Sequence, residues 1–200
     1  AGPVDLAGGR GYLEKDWGAA FPAGYVWMQT NHFSERGTCL TASTALIPWL
    51  RSEFRGHIVG LKHRGELHTF ATYTGAVTTL LEIDDDEVRW RMRSKQGAVL
   101  EMTADRPRGG LLHAPIRTEM HRRVEETLDA TIRVRLLDPR GRVLLDDVGV
   151  CGGLEVHGDL DRTDAVEGQA GVGDALGEGL DEAERGPLDL GDHRGRDSAV

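Results

Sequence analysis

Glu14, Lys15 and Asp16 stand in a row among aromatic residues, in the stretch GYLEKDWGAAFPAGYVWMQTNHF that runs from Gly11 to Phe33. Two carboxyls set among Tyr12, Trp17, Tyr25 and Trp27 are candidates for a general acid. A carboxyl keeps its proton near neutral pH when it is held in an apolar setting or beside a second carboxylate. A positioned acid contributes about 10²–10⁴ in rate. Lys15 works against this, because a nearby ammonium favours the ionised carboxyl. On an extended chain Glu14 and Asp16 share one face and Lys15 points away. The rings of Trp17, Tyr25 and Trp27 can face a cation, at about 2 kcal/mol each once desolvated. The amides of Gln29 and Asn31 can donate or accept. An architectural reading of the same residues stays open: YLEKDWG as a sharp corner, Trp17 as a core plug, and Glu14 with Lys15 as an ordinary ion pair.

The elements that must hold these residues read as short strands. From Gly24 to Phe33 the chain alternates, with Tyr25, Trp27, Gln29, Asn31 and Phe33 on one face and Val26, Met28, Thr30 and His32 on the other. Buried amides must be paired, so the first face reads as a pocket wall. Further strands are expected over 38–48 (stopped by Pro48), 54–63, 66–74, 77–83, 88–93, 98–104, 131–137 and 143–150, with hairpin turns at His63-Arg64-Gly65-Glu66 and Asp138-Pro139-Arg140-Gly141. Residues 108–116 read as a loop broken by Gly and Pro. Residues 118–129 read as the one helix, from the spacing of Met120, Val124 and Leu128 and the cap Thr118. Eight or nine short strands with one helix predict an all-β fold, an antiparallel barrel or sandwich.

Charge divides the chain. The 200 residues carry a net charge of −9. Residues 159–200 hold 12 acids, 4 arginines and no aromatic residue, so residues 1–158 are close to neutral. A neutral body gives no electrostatic case for nucleic acid. The acidic segment cannot bury enough apolar surface to offset chain entropy and is expected to be a disordered tail behind a domain at 1–158. The GVGDALG run at 171–177 follows no strand, so it is not a nucleotide loop. No metal site is expected: His32, His57, His63, His68, His113, His121 and His157 form no His-Glu-x-x-His, and the chain has no Cys-x-x-Cys. Ser43 lacks the Gly-x-Ser-x-Gly setting of a hydrolase nucleophile. Cys39 and Cys151 define no disulfide framework and read as small buried residues of a reducing, cytoplasmic compartment. No apolar run is long enough to span a bilayer. The chain begins with Ala1 inside a Gly-rich loop, which suggests an upstream part outside this sequence.

Three blocks resemble the tocopherol cyclase family: the Gly11–Phe33 stretch, FATYTGA at 70–76, and LLHAPIRTEM at 111–120 with GLEVHG at 153–158. The resemblance covers about residues 11–158. The Tyr-x-Glu-Lys-Asp-Trp-Gly pattern is also similar to a Tyr-x-Asp-His-Asn-Trp-Gly block in carotenoid hydratases of the hydroxyneurosporene synthase type and in lipocalin-like Diels–Alder enzymes. Glu14, Lys15 and Asp16 depart from that block toward the cyclase branch. The resemblance implies a lipocalin-like barrel and a cofactor-free reaction on an apolar, prenylated small molecule. A proton adds to a tail alkene and a quinol oxygen closes a chromanol ring. It implies Glu14 and Asp16 as acids, Tyr12, Trp17, Tyr25 and Trp27 around the substrate, and Gln29, Asn31 and Tyr73 orienting the phenol. Glu155 is a further candidate acid, read more readily as a surface strand end. Peripheral contact with a membrane would give access to such a substrate. Two other functions fit the same residues: a lipocalin-like carrier without chemistry, and a hydratase in which water traps the cation.

Overall fold

The computed structural model describes residues 2–15, 21–49, 52–116 and 119–160. Asp16, Trp17 and the acidic segment from 161 onward, and with it the expected tail, lie outside the described residues. Ten strands form one antiparallel sheet: β1 (Tyr25–Thr30), β2 (Cys39–Trp49), β3 (Ser52–His63), β4 (Glu66–Ala71), β5 (Val77–Ile83), β6 (Glu87–Arg93), β7 (Val99–Asp105), β8 (Gly110–Ile116), β9 (Glu119–Leu137) and β10 (Val143–His157). Their order is β4-β3-β2-β1-β10-β9-β7-β6-β5, with β8 paired to the first half of β9. The fold is all-β as the alternation required. The sheet is open, with β4 and β5 as its ends, so the expected barrel does not close among the described residues. No helix among the described residues is long and apolar enough to cross a membrane.

Side chains from both halves of the sheet meet in one core. Val26, Met28, Leu40, Leu61 and Phe70 from β1–β4 join Trp90, Met92, Leu100, Met102, Ile132, Val134 and Leu136 from β6, β7 and β9. The sheet is therefore curled around its concave face. On the opposite face of β6, β7, β9 and β10, Arg91, Glu101, Arg135 and Asp146 pair in one row of alternating charge. Such exposed pairs contribute about 0–1 kcal/mol each and mainly mark the solvated side.

Several local readings are corrected. The expected helix over 118–129 is the start of β9: Val124 is 2% exposed, while Met120 and Leu128 are 59% and 68% exposed, so the spacing of four does not mark a buried stripe. The expected loop over 108–116 contains β8, which pairs with that half of β9. Pro48 does not stop its strand; β2 continues to Trp49. The Leu46 N–H bonds the Gly24 carbonyl, 2.9 Å away, and is the last to reach toward β1. Two residues on, Pro48 faces the same side beyond the start of β1, where its missing N–H costs no ladder bond. Phe33 packs in the concave core with Met28 rather than beside Trp27. The regular strand ends at Thr30, whose Oγ1 accepts the His32 N–H. Cys39 is half-buried and Cys151 exposed, the latter at φ 51° in a bulge of β10.

Two bulges control which residues face which side. Gly149 pairs with Ile132 and Gly152 with Ala130, so β10 carries one extra residue. Gly152 pairs with Ala130 and Leu154 with Thr127, so β9 then carries one. An extra residue inverts the in–out alternation of the strand that holds it. Beyond the bulges Leu154 and Thr127 are buried on the concave side, and Glu155 and Glu126 are turned to the convex side. The β10 bulge is held by Thr30, which donates to the Val150 carbonyl at 2.8 Å, and by the Val150 N–H bond to His32.

Candidate functional site

The convex face of β1 carries Tyr25, Trp27 and Gln29. Each stands in a row with β2 and β10: Ala45–Tyr25–His157, Ser43–Trp27–Glu155 and Thr41–Gln29–Gly153. Tyr25 and Trp27 form a second apolar cluster with Phe21, Ala45, Ile47, Ala114 and Val124, separate from the concave core. Small residues on β2 and Gly153 on β10 leave room for the rings. A Cβ at 153 would lie 2.9 Å from Trp27 Cζ3 and 3.3 Å from Gln29 Nε2. Gly158 closes the same corner at φ 66°, against the Ala23 carbonyl, and sets His157 beside Tyr25. Their rings are 5.6 Å apart.

Gln29 is more than nine-tenths buried, and its Oε1 has no hydrogen-bond partner among the described residues. A buried acceptor left unmade costs roughly 1–3 kcal/mol, which a bound donor would recover. The structure brings Gln29 and Asn31 to different ends: Asn31 Nδ2 donates to the Gly11 carbonyl at 3.1 Å and ties down the N-terminal segment.

That segment places Glu14 over Trp27. Glu14 Oε2 accepts the Trp27 Nε1–H at 3.1 Å and also the Tyr12 hydroxyl, which lies 3.1 Å from Thr41 Oγ1. The Tyr12 and Trp27 rings are 6.2 Å apart at 45°. Glu14 itself is exposed. Tyr73 lies away from this group, 62% exposed in the 3₁₀ turn after β4. Three strand spacings, about 14 Å, separate β4 from β1.

Two more carboxyls share the face. Tyr25 donates its hydroxyl to Glu155 Oε2 at 2.8 Å. Glu155 stands directly across from Glu126 of β9, so one row reads Trp27, Glu155, Glu126. Burial pushes the Glu126 carboxyl above the usual glutamate range. Reading 118–129 as a helix hid Glu126, because a helix gives it no strand neighbour. The sequence carries no mark of it: Leu128 and Asp129 alternate as apolar and polar there, although both are exposed in the strand.

On the other face of β10, a cleft of about 390 Å³ is lined by Asp85, Arg106, Arg108, Glu125, Leu154 and Val156. Its charged rim suits a polar ligand more than a hydrocarbon tail. Among the described residues no three His, Cys, Asp or Glu side chains gather as a metal would require.

The model of the tocopherol cyclase-like family matches residues 4–158. The chain belongs to the tocopherol cyclase-like family. It is 28% identical over 160 residues to a probable chloroplastic tocopherol cyclase of Oryza sativa subsp. japonica. The match covers 74% of this chain and 33% of that protein, so the chain spans about a third of the length of this relative. No solved structure matches the chain. The family match takes in the N-terminal segment, all ten strands and both bulges, so Glu14, Trp27, Gln29, Glu126 and Glu155 all lie within it.

Proposed function

We propose that this tocopherol cyclase-like chain serves the ring closure of a prenylated quinol, in which a proton adds to a tail alkene and the quinol oxygen traps the cation. The observation that carries this reading is the convex face of β1: Trp27 set over Gly153 beside the buried, unpartnered Gln29 Oε1, with Tyr25 on the same face next to His157. Aromatic faces stabilise a developing cation. Gln29 supplies the acceptor that one quinol hydroxyl needs, and Tyr12 extends the aromatic wall. Asn31 acts on the site through the segment it anchors. The acid is drawn from the carboxyls of this face, Glu14, Glu155 and Glu126, with Asp16 beyond the described residues. The substrate is apolar and is met at the periphery of a membrane on the cytoplasmic side. Incubation with dimethyl phytyl quinol, followed by chromatography, tests the reading: a product of unchanged mass and shifted retention is expected. Absence of conversion by the unaltered protein would sink it.

One observation favours a second reading. Glu14, the acid named first by the sequence, is exposed, and a lipocalin-like carrier of an isoprenoid would need the same rings and no acid. Such a carrier binds the quinol, quenches Trp27 fluorescence and leaves the ligand unconverted.

A further inference from the structure

The sheet forks on β9. β7 pairs with it as far as Ala104↔Ile132, and β8 takes over only at Gly110↔Glu126. Residues 106–109 form a strap across the fork, tied down at both ends. The Arg106 N–H donates to the Asp86 carbonyl at 2.8 Å, and the Arg106 guanidinium donates to the Asp84 carbonyl. The Gly109 N–H donates to Glu125 Oε1 at 3.0 Å, and a side chain at 109 would strike the Glu126 carbonyl. The cleft of about 390 Å³ lies at this fork, on the side of β10 that carries Leu154 and Val156.

The strap turns two cations toward the cleft. Proline fixes its own φ and holds the residue before it extended. Residues two apart on extended backbone share a side, so Pro107 sends Arg106 and Arg108 to the same opening, and both line it. Arg106 is half-buried, and the hydrogen bond of its guanidinium goes to a carbonyl, which leaves its charge in place. Arg108 makes no hydrogen bond or ion pair among the described residues. Thr127 lines the same cleft and is more than nine-tenths buried. Its Oγ1 accepts the Asp129 N–H at 3.2 Å, and its own hydroxyl hydrogen has no acceptor among the described residues. A buried donor left unmade costs free energy that a bound acceptor recovers.

Independently of the cyclase reading, we infer that this cleft binds a small monoanion: a hydroxylated carboxylate with a compact apolar body. The carboxylate takes donors from Arg106, Arg108 and Thr127, and guanidinium–carboxylate bonds are among the strong ones. The apolar body lies against Leu154 and Val156. The hydroxyl at its far end donates to Asp85, which lines the cleft and makes no hydrogen bond among the described residues.

The rest of the lining narrows the class of ligand. Asp85 and Glu125 balance the charge of Arg106 and Arg108, so the cleft repels a polyanion and accepts a single negative group. Glu125 already accepts the Gly109 N–H, so Asp85 is the freer acceptor for a hydroxyl. A cleft of about 390 Å³ admits one ring with its substituents. A neutral prenylated quinol offers the two guanidiniums no anion, so the ligand is a different molecule from the proposed substrate.

The test titrates the full chain with para-hydroxybenzoate, followed by calorimetry and by NMR of methyl and arginine side-chain signals. Saturable binding at one site is expected, with shifts at the Leu154 and Val156 methyls and at the Nε–H of Arg106 and Arg108. Arg108→Ala changes an exposed residue and is expected to keep its near-UV circular dichroism while binding about tenfold more weakly. Arg108→Lys is expected to recover part of the affinity, since an ammonium restores charge without the planar fork. Asp85→Ala is expected to erase the preference for para-hydroxybenzoate over benzoate. The neutral para-hydroxybenzyl alcohol is expected not to bind. No saturable binding by the unaltered protein, equal binding of the alcohol, unchanged affinity in Arg108→Ala, or tighter binding of inorganic phosphate overturns the inference. Conversion of dimethyl phytyl quinol reads the cyclase proposal separately and is expected to be the same in Arg108→Ala.

Discussion

The Trp27 indole fills the space that a side chain at residue 153 would need, with Cζ3 only 2.9 Å from where its Cβ would sit. The ring cannot yield easily, because its Nε1–H is held by Glu14 and its strand is paired on both sides. Gly153→Ala is therefore expected to push Trp27 off the sheet. Forced repacking of this kind costs about 1–3 kcal/mol. Urea denaturation should show a lower midpoint at unchanged slope, and Trp emission should shift to the red. An unshifted midpoint would mean that the indole has slack that the contact denies.

Asn31 separates anchoring from chemistry. Its Nδ2 bond to the Gly11 carbonyl joins the end of β1 to the segment carrying Tyr12 and Glu14. Asn31→Ala removes one hydrogen bond at an exposed site, worth about 0.5–1.5 kcal/mol. The global midpoint is expected to move little, while protease cleavage and amide exchange within residues 2–15 rise. Unchanged exchange there would assign the anchoring to the Tyr12 and Glu14 contacts alone.

The sequence made some of this legible and not the rest, for reasons visible in particular residues. Val88, Trp90 and Met92 alternate cleanly with three arginines, and β6 lies where that pattern places it, with the apolar residues fully buried. β5 likewise keeps its expected bounds. In β6 one face is core, the other is water, and no extra residue interrupts its pairing with β7; β5 keeps its bounds despite one extra residue between Thr78 and Leu80. β9 defeated the same method because the spacing of four at Met120, Val124 and Leu128 is also twice the strand period and so cannot tell a strand from a helix. β8 was missed because Gly109, Gly110 and Pro115 look like loop residues, although an edge strand tolerates them. The aromatic wall was legible as alternating Tyr25, Trp27 and Gln29. The carboxyl row was not, since Glu155 and Glu126 meet only through a register that two compensating bulges create.

That register makes its own prediction. Deleting Asp129 removes the extra residue of β9 and lets residues 119–127 pair in the opposite sense. Glu126 and Val124 would then exchange sides with Thr127, driving a carboxyl toward the concave core. A cost of about 2 kcal/mol or more is expected from burying that polar group without a partner. Amides of β8 should lose protection first, since pairing with β9 is what holds that strand. Unaltered stability and unaltered β8 protection would mean that the bulge carries no information about the faces.

His57 gives a pH dependence whose sign follows from its surroundings. The ring is buried beside β4, its Nε2 lies 3.1 Å from the Ala76 carbonyl, and its backbone N–H bonds Thr72 Oγ1 at 2.9 Å. Burial lowers its pKa below the usual 6.5, and the bond to the Ala76 carbonyl offsets this only in part. The unfolded chain therefore takes up the proton first as pH falls. Stability from this residue is complete above about pH 6.5 and is lost progressively from there down to the folded value. One such group gives at most about 1.4 kcal/mol per pH unit in that window. His57→Gln, which can still donate to the Ala76 carbonyl, is expected to be less sensitive between pH 7.5 and 5.5 than the unaltered protein. Urea midpoints for both proteins at the two pH values give the difference directly, and other histidines cancel in the comparison. Equal losses on acidification in the two proteins would show that His57 is protonated in the folded state as readily as in the unfolded one.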